Sequence, residues 1–229
     1  MLRRTMSGRW QSSRPSDRLQ RVERGTRLRS YREMKRPDFE KAKSQAFSAA
    51  ADPHQWMLSA ADLHEQAVAL HNRRGISQMT RRGVGQSAVT WDGANRATFL
   101  LAAFALESAI KAFLVYEHPE WIRGGRLNDE LCSHKLTKLA SKSNLIPYRD
   151  RDQGILAAFE DGNESWMRYP CGRHADDIAP QRPMEDRLWL AYRRVMRGYG
   201  KKLARLLAKG WTDPNGHSGT WTLGWDYLD

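Results

Sequence analysis

An all-α fold is what this sequence predicts: a four- to five-helix up-and-down bundle, with a disordered basic N-terminal tail before it and an aromatic C-terminal tail after it. Three observations carry that expectation. Apolar residues recur three and four positions apart over long stretches, the period of a helix with one buried side. Residues 95–117 form an Ala- and Leu-rich run that is apolar on nearly every face, as suits the central helix of a bundle. The chain has 229 residues, 40% of them hydrophobic, which is room for one core with extensions at its ends.

The tail, residues 1–37, holds twelve Arg or Lys against Asp17, Glu23 and Glu33. Its large apolar residues, Leu2, Trp10, Leu19, Val22 and Leu28, are too sparse to bury a core that would offset chain entropy. Nine of the chain's twelve net positive charges lie here, so residues 38–229 carry only about +3. The pI near 10.0 thus describes the tail and is no argument that the domain binds nucleic acid. Three readings stay open: a solvated extension, including sequence upstream of a start at Met34; an arm neutralising RNA or DNA phosphates; and a transit peptide, against which the three acids count. The first residues lack the apolar core of a secretory signal.

The helical domain is expected over residues 38–210. Its first helix begins at Asp52-Pro53, a cap followed by a residue suited to the first turn. Trp56, Ala60, Leu63, Ala67 and Leu70 form its apolar stripe. His64 and His71 stand seven apart, which is not the i, i+4 spacing of a metal pair, and read as packed or solvated. Residues 72–93 read as a long loop, with a β-hairpin as the open alternative. The loop holds Gly75, Gly83, Gly85 and Gly93 and the pairs Arg73-Arg74 and Arg81-Arg82. Its glycines match no phosphate cradle, since no strand precedes them and no GK[ST] follows. A loop of that length points to function or mobility.

In the central helix, Glu107 and Lys111 are four apart and can pair along one ridge. A buried carboxylate must be paired or protonated; Lys111, or Arg168 from across the bundle, is the expected partner. The same two charges argue against a membrane span. His118-Pro119 ends the helix. A third, short helix opens with Ser133 as cap and places Leu136 and Leu139 inward, with His134 a helix-start residue. A fourth, over 149–166, turns Ile155, Leu156 and Phe159 inward. A turn-prone stretch, Arg168 to His174, leads past Pro180 and Pro183 to a fifth helix over 184–209. Its stripe is Leu188, Tyr192, Val195, Tyr199, Leu203 and Leu206, and its outward face carries Arg193, Arg194, Arg197, Lys201, Lys202 and Arg205. Gly210 suits a helix stop. The aromatic extension, 211–229, holds Trp211, Trp221 and Trp225, and either docks or stays mobile. Cys132 and Cys171 read as reduced thiols of a cytoplasmic protein. The scattered histidines and the lack of HExxH, GxSxG or a P-loop predict no metal and no cofactor.

Three segments, in order, resemble the HEPN superfamily of small helical domains found in prokaryotic defence and toxin–antitoxin systems. Leu106-Glu107-Ser108-Ala109-Ile110-Lys111-Ala112-Phe113-Leu114 is similar to the family's central helix. His134-Lys135-Leu136-Thr137-Lys138-Leu139 and Arg168-Tyr169-Pro170 follow. The likeness spans about residues 52–210. It implies a metal-independent endoribonuclease working as a homodimer, with an antitoxin or nucleotidyltransferase as partner. The family's nuclease motif is an Arg followed a few residues on by a His; here Arg168 and His174 have five residues between them. The resemblance therefore implies Arg168 and His174 as catalytic residues, with Glu107 orienting the Arg and Arg173 an alternative cation. A neutral imidazole can accept the 2′-OH proton, and a guanidinium stays charged beside a pentavalent phosphate. Arg173, Arg193, Arg194, Arg197 and Lys201 are the expected RNA contacts. The chain departs from the family pattern at Tyr169, at Pro170 inside the motif, and in the prolines that separate the motif from the last helix. The alternative is a non-catalytic module that binds RNA, a nucleotide or a partner through the basic helix face and the tail.

Overall fold

The computed structural model describes residues 36–76, 78–85, 87–147, 149–163, 166–168, 183–224 and 227–229. The chain divides into two compact units, Met1–Lys43 and Ser44–Asp229. Six α-helices dominate the described residues, with two two-stranded antiparallel ribbons between them and a third after the last helix.

Helix α1, Arg36–Ala50, was not expected from periodicity. Its apolar residues are too few for a stripe. Ala, Lys, Glu and Gln give it high intrinsic propensity, and Asp38 in the first turn complements the helix dipole.

Helix α2, Pro53–His71, starts where the cap predicts: the Asp52 carboxylate accepts from the Gln55 N–H at 2.8 Å. Its buried stripe is Met57, Ala60, His64, Ala67 and His71, while Trp56, Leu63 and Leu70 are half-buried. The stripe is thus rotated from the expected one, because two imidazoles are accepted into the core as aromatic surfaces. His64 Nδ1 lies 2.7 Å from the Tyr192 hydroxyl, and His71 meets the Trp189 ring edge-on at 4.0 Å between centroids.

The segment after α2 takes the hairpin alternative. Strands β1, Gln78–Arg81, and β2, Val89–Asp92, pair antiparallel, with Gln78 opposite Asp92 and Arg81 opposite Val89. The Asp92 carboxylate closes the stem, accepting from the N–H groups of Gly75 at 2.8 Å and Ala94 at 2.9 Å.

Helix α3, Asn95–Glu117, coincides with the expected central helix. It buries fifteen residues and packs on α2 and on the helices that follow. By length and composition it could cross a membrane, yet 78% of its apolar window is buried within this fold. A 3₁₀ turn at Pro119–Trp121 leads to a short ribbon, β3 at Ile122–Arg123 and β4 at Arg126–Leu127. After a second 3₁₀ turn, Asp129–Cys132, helix α4 spans Leu136–Ser141. Ser133 does not cap it. The cap comes from tertiary structure instead: Glu160 on helix α5, Arg149–Asn163, accepts from the Thr137 N–H at 2.8 Å and hydroxyl at 2.7 Å.

Helix α6, Asp186–Leu207, buries Trp189, Tyr192, Val195, Met196, Tyr199, Leu203, Leu206 and Leu207. Phe99, Phe159 and Tyr192 meet as tilted rings where α3, α5 and α6 converge. Beyond α6, strands β5, Trp211–Thr212, and β6, Ser218–Gly219, make a third ribbon. The described part of the aromatic extension is therefore docked: the Trp211 indole N–H donates to the Val115 carbonyl at 3.1 Å, and His54 stacks on Trp221. Trp225 lies outside the described residues.

Candidate functional site

The central helix is apolar nearly all round, so its polar residues mark where something other than core packing is arranged. Phe104, Glu107, Ser108 and Lys111 follow one another at helical spacing along one stripe of α3. Glu107 and Lys111 are 7% and 4% exposed, and the Lys111 ammonium donates to Glu107 Oε1 at 2.6 Å. The Lys111 ammonium also lies 5.4 Å from the centroid of the Trp56 ring on α2, a cation–π contact.

Lys111 alone does not use up the carboxylate. His134 approaches from the segment between the second 3₁₀ turn and α4, and its Nδ1 lies 3.0 and 3.1 Å from the two oxygens of Glu107. Buried Leu131 and Leu136 anchor the chain on either side of it. The His134 side chain is 47% exposed, with Nε2 making no hydrogen bond to a described residue. A carboxylate on Nδ1 fixes that nitrogen as the donor and leaves the Nε2 lone pair free.

Arg168 lies over the same helix. Its guanidinium carbon sits 4.9 Å from the centroid of Phe104, one turn before Glu107, and its Nε donates to Asn163 Oδ1 at 3.0 Å. The terminal nitrogens form no hydrogen bond with a described residue. The strand of chain carrying Arg168 is tied down by Arg96, whose Nε donates to the Met167 carbonyl at 2.9 Å. A planar cation and a half-exposed imidazole thus flank one polar stripe.

Of the residues singled out from sequence, Glu107 and Arg168 come to this stripe, with Lys111 rather than Arg168 as the cation on Glu107. Arg173 and His174 lie outside the described residues. His134 was missed: it reads as a helix-start residue, and only the return of the chain after α3 brings it onto Glu107, 27 positions away. The basic face of α6 is less free than the sequence suggests. Arg193 is half-buried, with its Nε enclosed and making no hydrogen bond to a described residue. Arg194 lies 3.6 Å from the buried Asp152 carboxylate, and Arg197 pairs with Asp229. Lys201 is exposed.

A second polar cluster joins the C-terminal ribbon to the start of α2. Asn215 donates to Ser48 and Asp213, and His217 Nε2 reaches Asp52 Oδ2 at 3.2 Å. Burial works to raise the Asp213 carboxyl, but hydrogen bonds from Ser48, Asn215 and the backbone of His217 outweigh it and hold it below the usual carboxylate range. These residues satisfy one another, so they read as a structural lock. Compared with known proteins, the chain matches no family model, no curated protein and no solved structure.

Proposed function

We propose that this chain is a HEPN-like helical bundle that cleaves RNA without a metal ion, with the polar stripe of α3 as the floor of its site. One observation supports this above the rest: buried Glu107 holds half-exposed His134 by Nδ1, while Arg168 lies one helical turn away over Phe104. The reaction class follows from the groups. The 2′-oxygen of a ribose attacks the adjacent phosphorus as its proton passes to an imidazole; the 5′-oxygen leaves and takes a proton from an acid. The products are a 2′,3′-cyclic phosphate and a 5′-hydroxyl. His134 Nε2 moves one proton, with Glu107 balancing the charge that develops on the ring. Arg168 holds the negative charge of the pentavalent phosphate. His174 serves as the second imidazole and Arg173 as a further phosphate contact. The same likeness makes a cytoplasmic homodimer the working form, with an antitoxin or nucleotidyltransferase as its partner.

The test is RNA incubated with the purified chain in EDTA, for the wild type and for His134→Ala, His174→Ala and Arg168→Ala. Loss of a general acid or base slows such chemistry by roughly 10²- to 10⁴-fold, the range expected for the two histidine variants, and loss of a charge-stabilising donor by roughly 10²- to 10³-fold, the range expected for Arg168→Ala. Wild-type cleavage by His134→Ala would reduce the Glu107–His134 contact to a structural one and leave the nuclease without the imidazole that Glu107 holds.

A further inference from the structure

The β1–β2 ribbon shows a surface that nothing among the described residues covers. Side chains alternate along a strand, and directly opposed residues share a side. The register places Met79 opposite Trp91 and Arg81 opposite Val89, so these four form one face. Met79 is 52% and Val89 61% exposed, Arg81 is exposed, and Trp91 is half-buried. On the other face the Thr80 and Thr90 hydroxyls are 3.0 Å apart, and the Asp92 carboxylate is consumed by Gly75 and Ala94. Beside β2 runs a cleft of about 540 Å³, bordered by Trp91, Val89, His71, Arg74 and Met184.

We infer that this ribbon face is a stacking platform for single-stranded RNA. A two-stranded ribbon with exposed apolar side chains is marginal in water, and a ligand that covers it stabilises it. Charge selects the ligand. Residues 72–93 carry Arg73, Arg74, Arg81 and Arg82 against Asp92, the single acid in that segment. Arg74 is paired with Asp186, whereas Arg73, Arg81 and Arg82 form no ion pair with a described residue. A second copy would set these arginines against themselves; phosphates would neutralise them. The indole of Trp91, flanked by Met79 and Val89, suits the flat face of an unpaired base, and a duplex hides those faces inside its stack. The cleft beside Trp91 gives a splayed base room to enter.

The choice of RNA rests on the function proposed above, and binding is measured apart from cleavage so that the two fail separately. The probe is a fluorescein-labelled 2′-O-methyl oligouridylate, which lacks the attacking hydroxyl, followed by fluorescence anisotropy. Trp91→Ala is expected to weaken binding roughly 5- to 150-fold, the range for losing one stacked base, with Trp91→Phe retaining most of the affinity. Arg81→Gln, at an exposed position that leaves the core untouched, is expected to lower the slope of log affinity against log salt by roughly one. A duplex of the same length should bind more weakly than the single strand. Equal binding by Trp91→Ala, Arg81→Gln and wild type would overturn the platform. So would an equal preference for duplex, or a wild-type dimer in sedimentation that Trp91→Ala dissociates without changing RNA affinity.

Discussion

Replacing Glu107 by Gln removes the negative charge that Lys111 donates to, and leaves the ammonium of a residue only 4% exposed facing a neutral amide and the Trp56 ring. An isolated buried charge is costly, and breaking such a pair from one side typically costs about 3–5 kcal/mol. Glu107→Gln is expected to lose that much in urea unfolding followed by far-UV circular dichroism. Lys111→Met should cost less, because His134 still faces both oxygens of Glu107. Replacing both residues, Glu107→Leu with Lys111→Met, removes two desolvated charges together. Such apolar replacement is often close to neutral, so the double variant should recover about 2 kcal/mol or more relative to the summed costs of Glu107→Leu and Lys111→Met made singly. A cost below about 1 kcal/mol for Glu107→Gln, or two substitutions whose costs simply add, would refute a coupled buried pair.

Three further outcomes follow from the core and its locks. Burial, and after it the nearby Arg193 charge, lower His64 from 6.5 to about 4; between those values the unfolded chain binds a proton that the native ring refuses. Stability is then full above the higher value and falls by about 3 kcal/mol as pH drops to the lower; His64→Gln should flatten that dependence of the urea midpoint, and an unchanged slope would exclude His64 as its source. A Cβ at Gly200 would strike the Tyr227 carbonyl and crowd Leu228. Gly200→Ala should therefore destabilise by about 1–3 kcal/mol, whereas an unshifted unfolding curve would mean that the C-terminal residues do not pack there. Asp52→Ala removes the α2 cap and the His217 contact; a loss of about 1 kcal/mol or more is expected, and a smaller one would show that water caps the helix as well.

The sequence was most legible where a single physical rule dominates. Helix α3 stood out because its run of apolar residues is bounded by Asn95 and by His118-Pro119, and the Glu107–Lys111 pair followed from helical spacing. The start of α2 was marked by Asp52-Pro53. Its inward face was read one step off, because residue type alone gives no reason to bury His64 and His71; their burial depends on Tyr192 and Trp189, more than a hundred positions away. Helix α1 lacks a stripe, and β1 and β2 are exposed strands without the alternation of a half-buried one. The candidate site divides along the same line. Arg168 and Glu107 were singled out as candidates because the segments that hold them resemble a family pattern. His134 was hidden because its partner lies across a ribbon and two 3₁₀ turns.

End-group analysis of RNA exposed to the wild-type chain in EDTA bears most directly on the proposed function. Fragments ending in 2′,3′-cyclic phosphate, formed with all divalent metal chelated, are the expected result. Intact RNA, or cleavage that appears only when Mg²⁺ is restored, would contradict it.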